Sequence, residues 1–333
     1  MTGNKKLVRS FIGNIVWYYH RQKWIVNAIL EKLVDITQDS DLAPVFNKPI
    51  FMIGFQGAGE TLLSRIIRRS PKVLAVSGGP KYWFGPDEMH TVLGPVLHAR
   101  FTGQLHKVPR RDLYGRRRGW AYASRELLPY YKLDESDVNV QMEKNFIFAL
   151  RVINRFRDGL ENRIFDKSKS YALKIPAIRK ILSRSKPKFV AVLRDPFTLV
   201  YRAACIKTHL HLEKMPLGQR VEIAASHWNN TVHRIRKAQE TYRDDIFVVK
   251  IEDCLSTWPD LIPRIFAHIE LEFDESFLPS ENDHIPWWAK RADRWFPVRR
   301  EINNKYKAET PYWISKRVEK ICGENATWAN YMS

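Results

Sequence analysis

Residues 49–54 (PIFMIG) form a continuous apolar run that ends on a glycine-rich turn and passes into LLSRIIRR, which has helical spacing. An apolar run this short reads as a strand buried on both faces, and the change of period marks a strand, a tight loop and a helix. A second such unit begins at 188–193 (KFVAVL), with Arg194-Asp195-Pro196 at its end and a helical stretch after it. A third strand is predicted at 246–251 (IFVVKI), after a helical pattern over 219–241 and before another at 258–268. Residues 170–175 (SYALKI) read as one more short strand. Strands separated by helices pair in parallel through crossovers, so the expected class is α/β, a central parallel sheet flanked by helices. The segment 81–165 reads as mostly helical and polar, an insertion covering that sheet.

Charge narrows the partners. Fifty-five Lys and Arg against thirty-six Asp and Glu leave a net charge of +19, which favours anionic ligands. The excess gathers at 107–118, 179–188 and 290–300; each run also fits a solvated face, and together they suggest a funnel toward one site. Three cysteines exclude a disulfide framework, their spacing with His fits no metal site, and no apolar run reaches the roughly 18 residues of a membrane span. Residues 1–46 are expected to be an N-terminal amphipathic helical extension, and 47–333 a single domain. Within the extension, 4–34 alternates basic and apolar patches with Trp and Tyr; it packs on the main body or makes peripheral contact with a membrane surface. It lacks the form of a secretory signal, so the expected location is cytoplasmic.

Chemistry is expected at the first turn. Gln56, Gly57, Ala58, Gly59, Glu60, Thr61 and Leu62 lie between a buried strand and a helix start, where backbone N–H groups and the helix dipole favour an anion. A tight structural turn would satisfy the same pattern. The turn lacks the Gly-Lys-Ser/Thr of a nucleoside-triphosphate loop. Arg194 ends the second strand, with Arg202 eight residues later. In an open parallel sheet, both would face the same crevice as the 54–61 loop. A guanidinium there grips phosphate with two parallel bonds; a structural pair with Asp195 or a helix cap is the plainer alternative for Arg194.

Three runs carry a family resemblance: PIFMIGFQGAGETLLSRIIRRSP, KFVAVLRDPFTLVYRAA and IFVVKIEDCLSTWPDLIPRIFAHIEL. They resemble, in order, the 5′-phosphosulfate loop, the 3′-phosphate motif and the later strand of sulfotransferases that use 3′-phosphoadenosine 5′-phosphosulfate (PAPS). The resemblance covers about residues 48–75 and 170–275 and implies a P-loop-like sulfotransferase fold. It also implies PAPS as donor, adenosine 3′,5′-bisphosphate (PAP) as product, and sulfuryl transfer to an acceptor hydroxyl without a metal. The chain departs from the family at three positions. Gly57 stands where the family has a basic residue, and Arg202 where it has serine. Glu60 replaces a threonine, and a carboxylate there is compatible with the donor if it turns outward and complements the helix dipole.

By the same resemblance, Lys174 matches the lysine of a Lys-x-Pro stretch after a strand and is assigned as the cation near the transferred group. The base is sought in 77–92, with Glu88 first, then Asp87, then His90; the plainer reading is that the acidic pair opens a helix running to Leu97. His106, His209, His211 and His227 are further candidates. Arg299 and Arg300 are expected to add donor or acceptor contacts. Aromatic residues beside basic runs favour a glycan acceptor, and nucleic acid is not expected. Two other classes remain: a nucleotide-dependent phosphotransferase, disfavoured by the absent loop lysine, and a silent member that binds an anionic polymer.

Overall fold

Strand β1 (Ile50–Gly54) is buried at every position, as a central strand between two helical layers must be. The computed structural model describes residues 46–75, 88–94, 96–102, 121–155, 162–206, 215–278, 284–286, 295–297 and 303–332. Within them β1 pairs in parallel with β3 (Arg163–Asp166) on one side and β4 (Lys188–Leu193) on the other. Outside these lie β2 (Val73–Ala75) and β5 (Ile246–Lys250), giving the order β2-β3-β1-β4-β5, parallel throughout. The chain leaves β1 toward β2 and leaves β4 toward β5. The loops at the carboxyl ends of these two neighbours therefore diverge and open a crevice, the usual ligand position in such sheets. A separate antiparallel pair joins His284–Pro286 to Trp295–Pro297.

The helices obey the same burial logic. Helix α1 (Glu60–Ile67) turns Leu63, Ile66 and Ile67 inward. Helix α2 (Met89–Val92) is a single turn, shorter than a helix reaching Leu97. Helix α3 (Val140–Arg155) covers the β2–β3 side, and α4 (Ile175–Ile181) leads into β4. Helix α5 (Pro196–Tyr201) follows β4 and continues as a π-helical turn over Arg202–Ile206. The long α6 (Leu217–Thr241) packs against the C-terminal α7 (Tyr312–Trp328). Phe51 stacks on Phe189 at 5.5 Å and meets Phe146 and Tyr171 at 6.2 Å, so one aromatic cluster ties α3 and the turn before α4 to β1.

Two expectations need correction. Residues 170–175 are not a strand. Lys169–Leu173 is a 3-10 turn, and Ile175 with Pro176 opens α4, because proline at the second helical position suits a helix start. The strand lies just earlier, at Arg163–Asp166, so the segment expected to be a helical cover also supplies a sheet strand beside β1. Four residues, two of them charged, carry too weak a periodicity to announce themselves. The extension 1–45 falls outside the described residues. Among the described residues, no helix is long and apolar enough to cross a membrane.

Candidate active site

The turn after β1 holds its shape through backbone conformations that only glycine adopts easily. Gly57 and Gly59 have φ of 96° and 104°. A Cβ on Gly59 would lie 2.5 Å from Ile251 Cγ1, and one on Gly57 would lie 2.7 Å from Arg202 Nη1. Gly59 caps α1, whose first amides have no intrahelical acceptor and whose dipole places partial positive charge at this end. Gln56, Gly57, Gly59, Thr61 and Leu62 are partly exposed, whereas Ala58 and Glu60 are buried.

Arg194 and Arg202 both reach this turn. Arg194 Nη1 donates to Gly57 O at 2.9 Å, while its Nε and Nη2 donate to Asn303 Oδ1 at 2.9 and 2.8 Å. Asn303 in turn donates to Glu252, which also accepts from the Asp195 amide at 3.0 Å and from Tyr331 Oη at 3.1 Å. Asp195 caps α5 by accepting from Phe197 N at 2.9 Å, and the Trp228 indole donates to Arg194 O at 2.9 Å. Burial, then the Arg202 guanidinium, lowers Arg194 to about 10, leaving it charged at neutral pH. The π-helical turn brings Arg202 round to the loop. Inserted turns of this kind recur at functional sites.

On the other side of the loop stands the end of β3. Asp166 accepts from Met89 N at 2.7 Å, Ser168 N at 3.0 Å and Ser168 Oγ at 3.0 Å. Ser168 Oγ accepts from His90 N at 3.2 Å. These bonds fasten the start of α2 to the strand end and set Glu88 and His90 beside it. Glu88 is paired with Lys169, and its Oε2 lies 3.5 Å from His90 Nε2. Burial pushes Glu88 up, but Lys169, His90 and Lys167 outweigh it and hold the carboxyl at about 2. Burial lowers His90 to about 4 against the pull of Glu88, so the imidazole is neutral at pH 7. Its Nδ1 is buried without a hydrogen-bond partner.

Glu60 does not turn outward. It is 2% exposed, and its Oε1 is buried and unpartnered, because the first residue of α1 points back under the loop toward Gly54. Burial raises it to about 7, against the opposing pull of Lys169 and Lys167. Lys174 is fully buried at the start of α4. Its Nζ donates to Phe101 O at 3.1 Å and sits 5.5–5.9 Å from the rings of Tyr171, Tyr131 and Phe101. Burial lowers it to about 7.

The loop thus has guanidinium groups on one flank and a Lys–Glu–His cluster on the other. Asp87, Arg299, Arg300, His106, His209 and His211 lie outside the described residues. His227 is buried on α6, where Nδ1 accepts from Ala123 N at 3.1 Å; it supports the segment whose Tyr122 donates to Gly54 O at 2.8 Å. Sequence reasoning missed Asp166, Lys167, Ser168 and Lys169, although the apolar Ile164-Phe165 before a polar turn repeats the pattern at β1 in miniature. It also missed Asn303, Glu252 and Tyr331 as partners of the Arg194 strand end, which no local pattern announces.

Residues 49–275 match the profile described as Sulfotransferase family. Among solved structures, the chain is similar to sulfotransferase STF9 from Mycobacterium avium at 13% identity, covering 85% of this chain and 77% of that one, with a TM-score of 0.54. The sulfotransferase domain of the Synechococcus olefin synthase is 18% identical over 87% of this chain and 98% of its own, with a TM-score of 0.48. A mouse sulfotransferase complexed with PAP is 10% identical over 84% and 85%, with a TM-score of 0.46. No curated protein sequence matches the chain.

Proposed function

Because the chain belongs to the sulfotransferase family, we propose that it transfers a sulfuryl group from PAPS to an acceptor hydroxyl, with a carbohydrate as the acceptor class. The observation that carries the donor assignment is the convergence of Arg194 and Arg202 on Gly57, in the glycine turn at the switch point of the sheet. The donor set fits a nucleotide with anionic groups at both ends: loop amides and a helix start at one pole, two guanidiniums at the other. The loop 56–62 would hold the 5′ end, and Arg194 and Arg202 the 3′-phosphate. Arg194 already ties down Gly57 and Asn303, so Arg202 supplies the more direct grip. When bound, the donor supplies the sulfuryl group and a phosphate leaving group.

The chain's own residues then have to remove a proton from the acceptor and balance negative charge. His90 is the base this arrangement favours: it is neutral at pH 7, and Glu88 beside Nε2 stabilises the imidazolium that forms. Glu88, bound to Lys169 and held at about 2, orients rather than abstracts; Asp87 remains an adjacent candidate. Lys167 and Lys169, just past the end of β3 and close enough to act on Glu60 in the loop, are the proposed cations at the transferred group, since Lys174 is walled in by three rings. Arg299 and Arg300 are proposed as further donor or acceptor contacts. The cytoplasm, with membrane contact through 4–34, is the proposed setting.

Calorimetric titration with PAP tests the donor. We expect binding that weakens at least tenfold in Arg202→Ala and also weakens in Arg194→Ala, which frees Gly57 and Asn303; no binding by the unsubstituted chain overturns the reading. Labelled donor offered with sugars, lipids and phenols tests the acceptor, with transfer to a sugar as the expected result.

A further inference from the structure

Resting on the donor reading above, we propose that Glu60 meets the 5′-phosphosulfate as a neutral carboxylic acid and donates its O–H to it, so that donor binding takes up one proton. The glutamate lies in the anion-binding turn itself, as the first residue of α1 directly after the Gly59 cap. Its side chain is turned inward and 2% exposed; the carboxyl accepts from its own backbone N–H, and Oε1 is buried with no hydrogen-bond partner in the protein. That oxygen comes within 3.1 Å of where a Cβ on Gly54 would stand, so the carboxyl lies back under the anion-binding turn, against the end of β1, rather than in solvent. A buried polar atom beneath an anion-binding turn, left without a hydrogen bond from the protein, is open to a partner that the turn brings in.

The charge around it decides which protonation state can serve. From the turn after β3, Lys167 and Lys169 act on Glu60; from the cap of α2, Glu88 does; and Tyr122 lies close enough to feel its charge. Lys169 is engaged with Glu88, so the nearest cation is already shared with a second carboxylate. An ionised Glu60 would place an acceptor-only group against an incoming dianion. A protonated Glu60 supplies a donor at the position that needs one and repels nothing. Its raised pKa, about 7 before any ligand arrives, means the proton is readily taken from solvent near neutral pH. An anion bound alongside raises it further. Only a proton moves in this step: an O–H bond forms on the carboxylate as the bond in hydronium or the buffer acid breaks, and the carboxyl keeps the proton while the anion is bound. A base role for Glu60 is disfavoured by the same geometry, because the donor suppresses the ionised form that a base needs.

The test is calorimetric titration of the full chain with PAP at pH 7.5 in buffers of different ionisation enthalpy, repeated in Glu60→Gln and Glu60→Thr. Phosphates that bind cations release protons, so net uptake has to come from the protein. Lys174, also near 7, is a second source and is unaffected by either substitution. We expect wild type to take up about one proton more than Glu60→Gln. Between pH 7.5 and 8.5 its Kd should also rise by up to about tenfold relative to that variant, the limit for one coupled proton. Equal proton counts and parallel pH profiles overturn this inference while leaving the donor assignment intact; no PAP binding at any pH from 6 to 8.5 overturns both. Should Glu60→Gln fail to fold, as judged by thermal unfolding, Glu60→Thr supplies the same comparison. Proton release by wild type would contradict the inference by itself.

Discussion

Glu60 and Glu88 are two carboxylates that share the influence of Lys169 and Lys167, and their surroundings drive them in opposite directions. Burial raises Glu60 from an ordinary 4.5 to about 7. An acid raised on folding stabilises the fold fully below its unfolded pKa and loses that contribution as pH climbs through the folded one. Chemical denaturation should therefore find Glu60→Gln more stable than wild type at pH 8, by roughly 2 kcal/mol relative to the difference at pH 5. A difference that stays flat over that interval would show that the carboxyl is not buried as described. Glu88 is held at about 2, so its contribution is complete above 4.5 and disappears as pH falls toward 2. His90, lowered to about 4 by burial, is neutral across the physiological range. We expect kcat to stay level as pH drops from 7 to 5.5 and to fall only as pH nears 4, whereas an unperturbed histidine would lose rate around 6.5.

The strand–turn–helix unit is the smallest element that makes a site here, and its two left-handed glycines are fixed by different neighbours. Gly59 lies against Ile251, the first residue after β5, so the turn is clamped by a strand two places away in the sheet. Gly59→Ala should destabilise the protein by about 2–4 kcal/mol through backbone strain and overpacking, a loss read from denaturant midpoints. Gly57→Ala differs in kind. Its new methyl meets the flexible end of Arg202, so we expect a milder stability loss and a clear drop in PAP affinity as the guanidinium is displaced. Equal effects of the two substitutions on stability would contradict this division. The segment after β3 is a second element with a division of labour: Asp166 and Ser168 fix the start of α2, while Lys167 and Lys169 bring charge.

Over the whole molecule, a net charge of +19 surrounds a crevice lined by loop amides and guanidiniums, so encounter with anionic ligands should be steered and salt-sensitive. If the acceptor is an anionic glycan, raising NaCl from 50 to 500 mM should raise its KM several-fold more than that of a neutral acceptor; equal shifts would locate the basic runs away from the acceptor path. Much of this architecture was legible along the chain. A strand buried on both faces must be apolar throughout, so β1, β4 and β5 stood out, and glycine is needed wherever φ is positive, so the turn was marked as well. Arg194 followed from its place directly after such a strand. What the chain could not declare were relations between distant residues. The four-residue β3 was hidden because its polar ends pair with the backbone of β1 and β2, a property of neighbours rather than of period. The inward turn of Glu60, the enclosure of Lys174 by three aromatic rings and the hold of Asn303 on Arg194 depend on segments up to 109 residues apart in sequence. Local pattern sets which backbone can form, because propensity and periodicity act over a few residues. Burial and electrostatics act through space, and only the packed structure decided which charges face the crevice and in which protonation state.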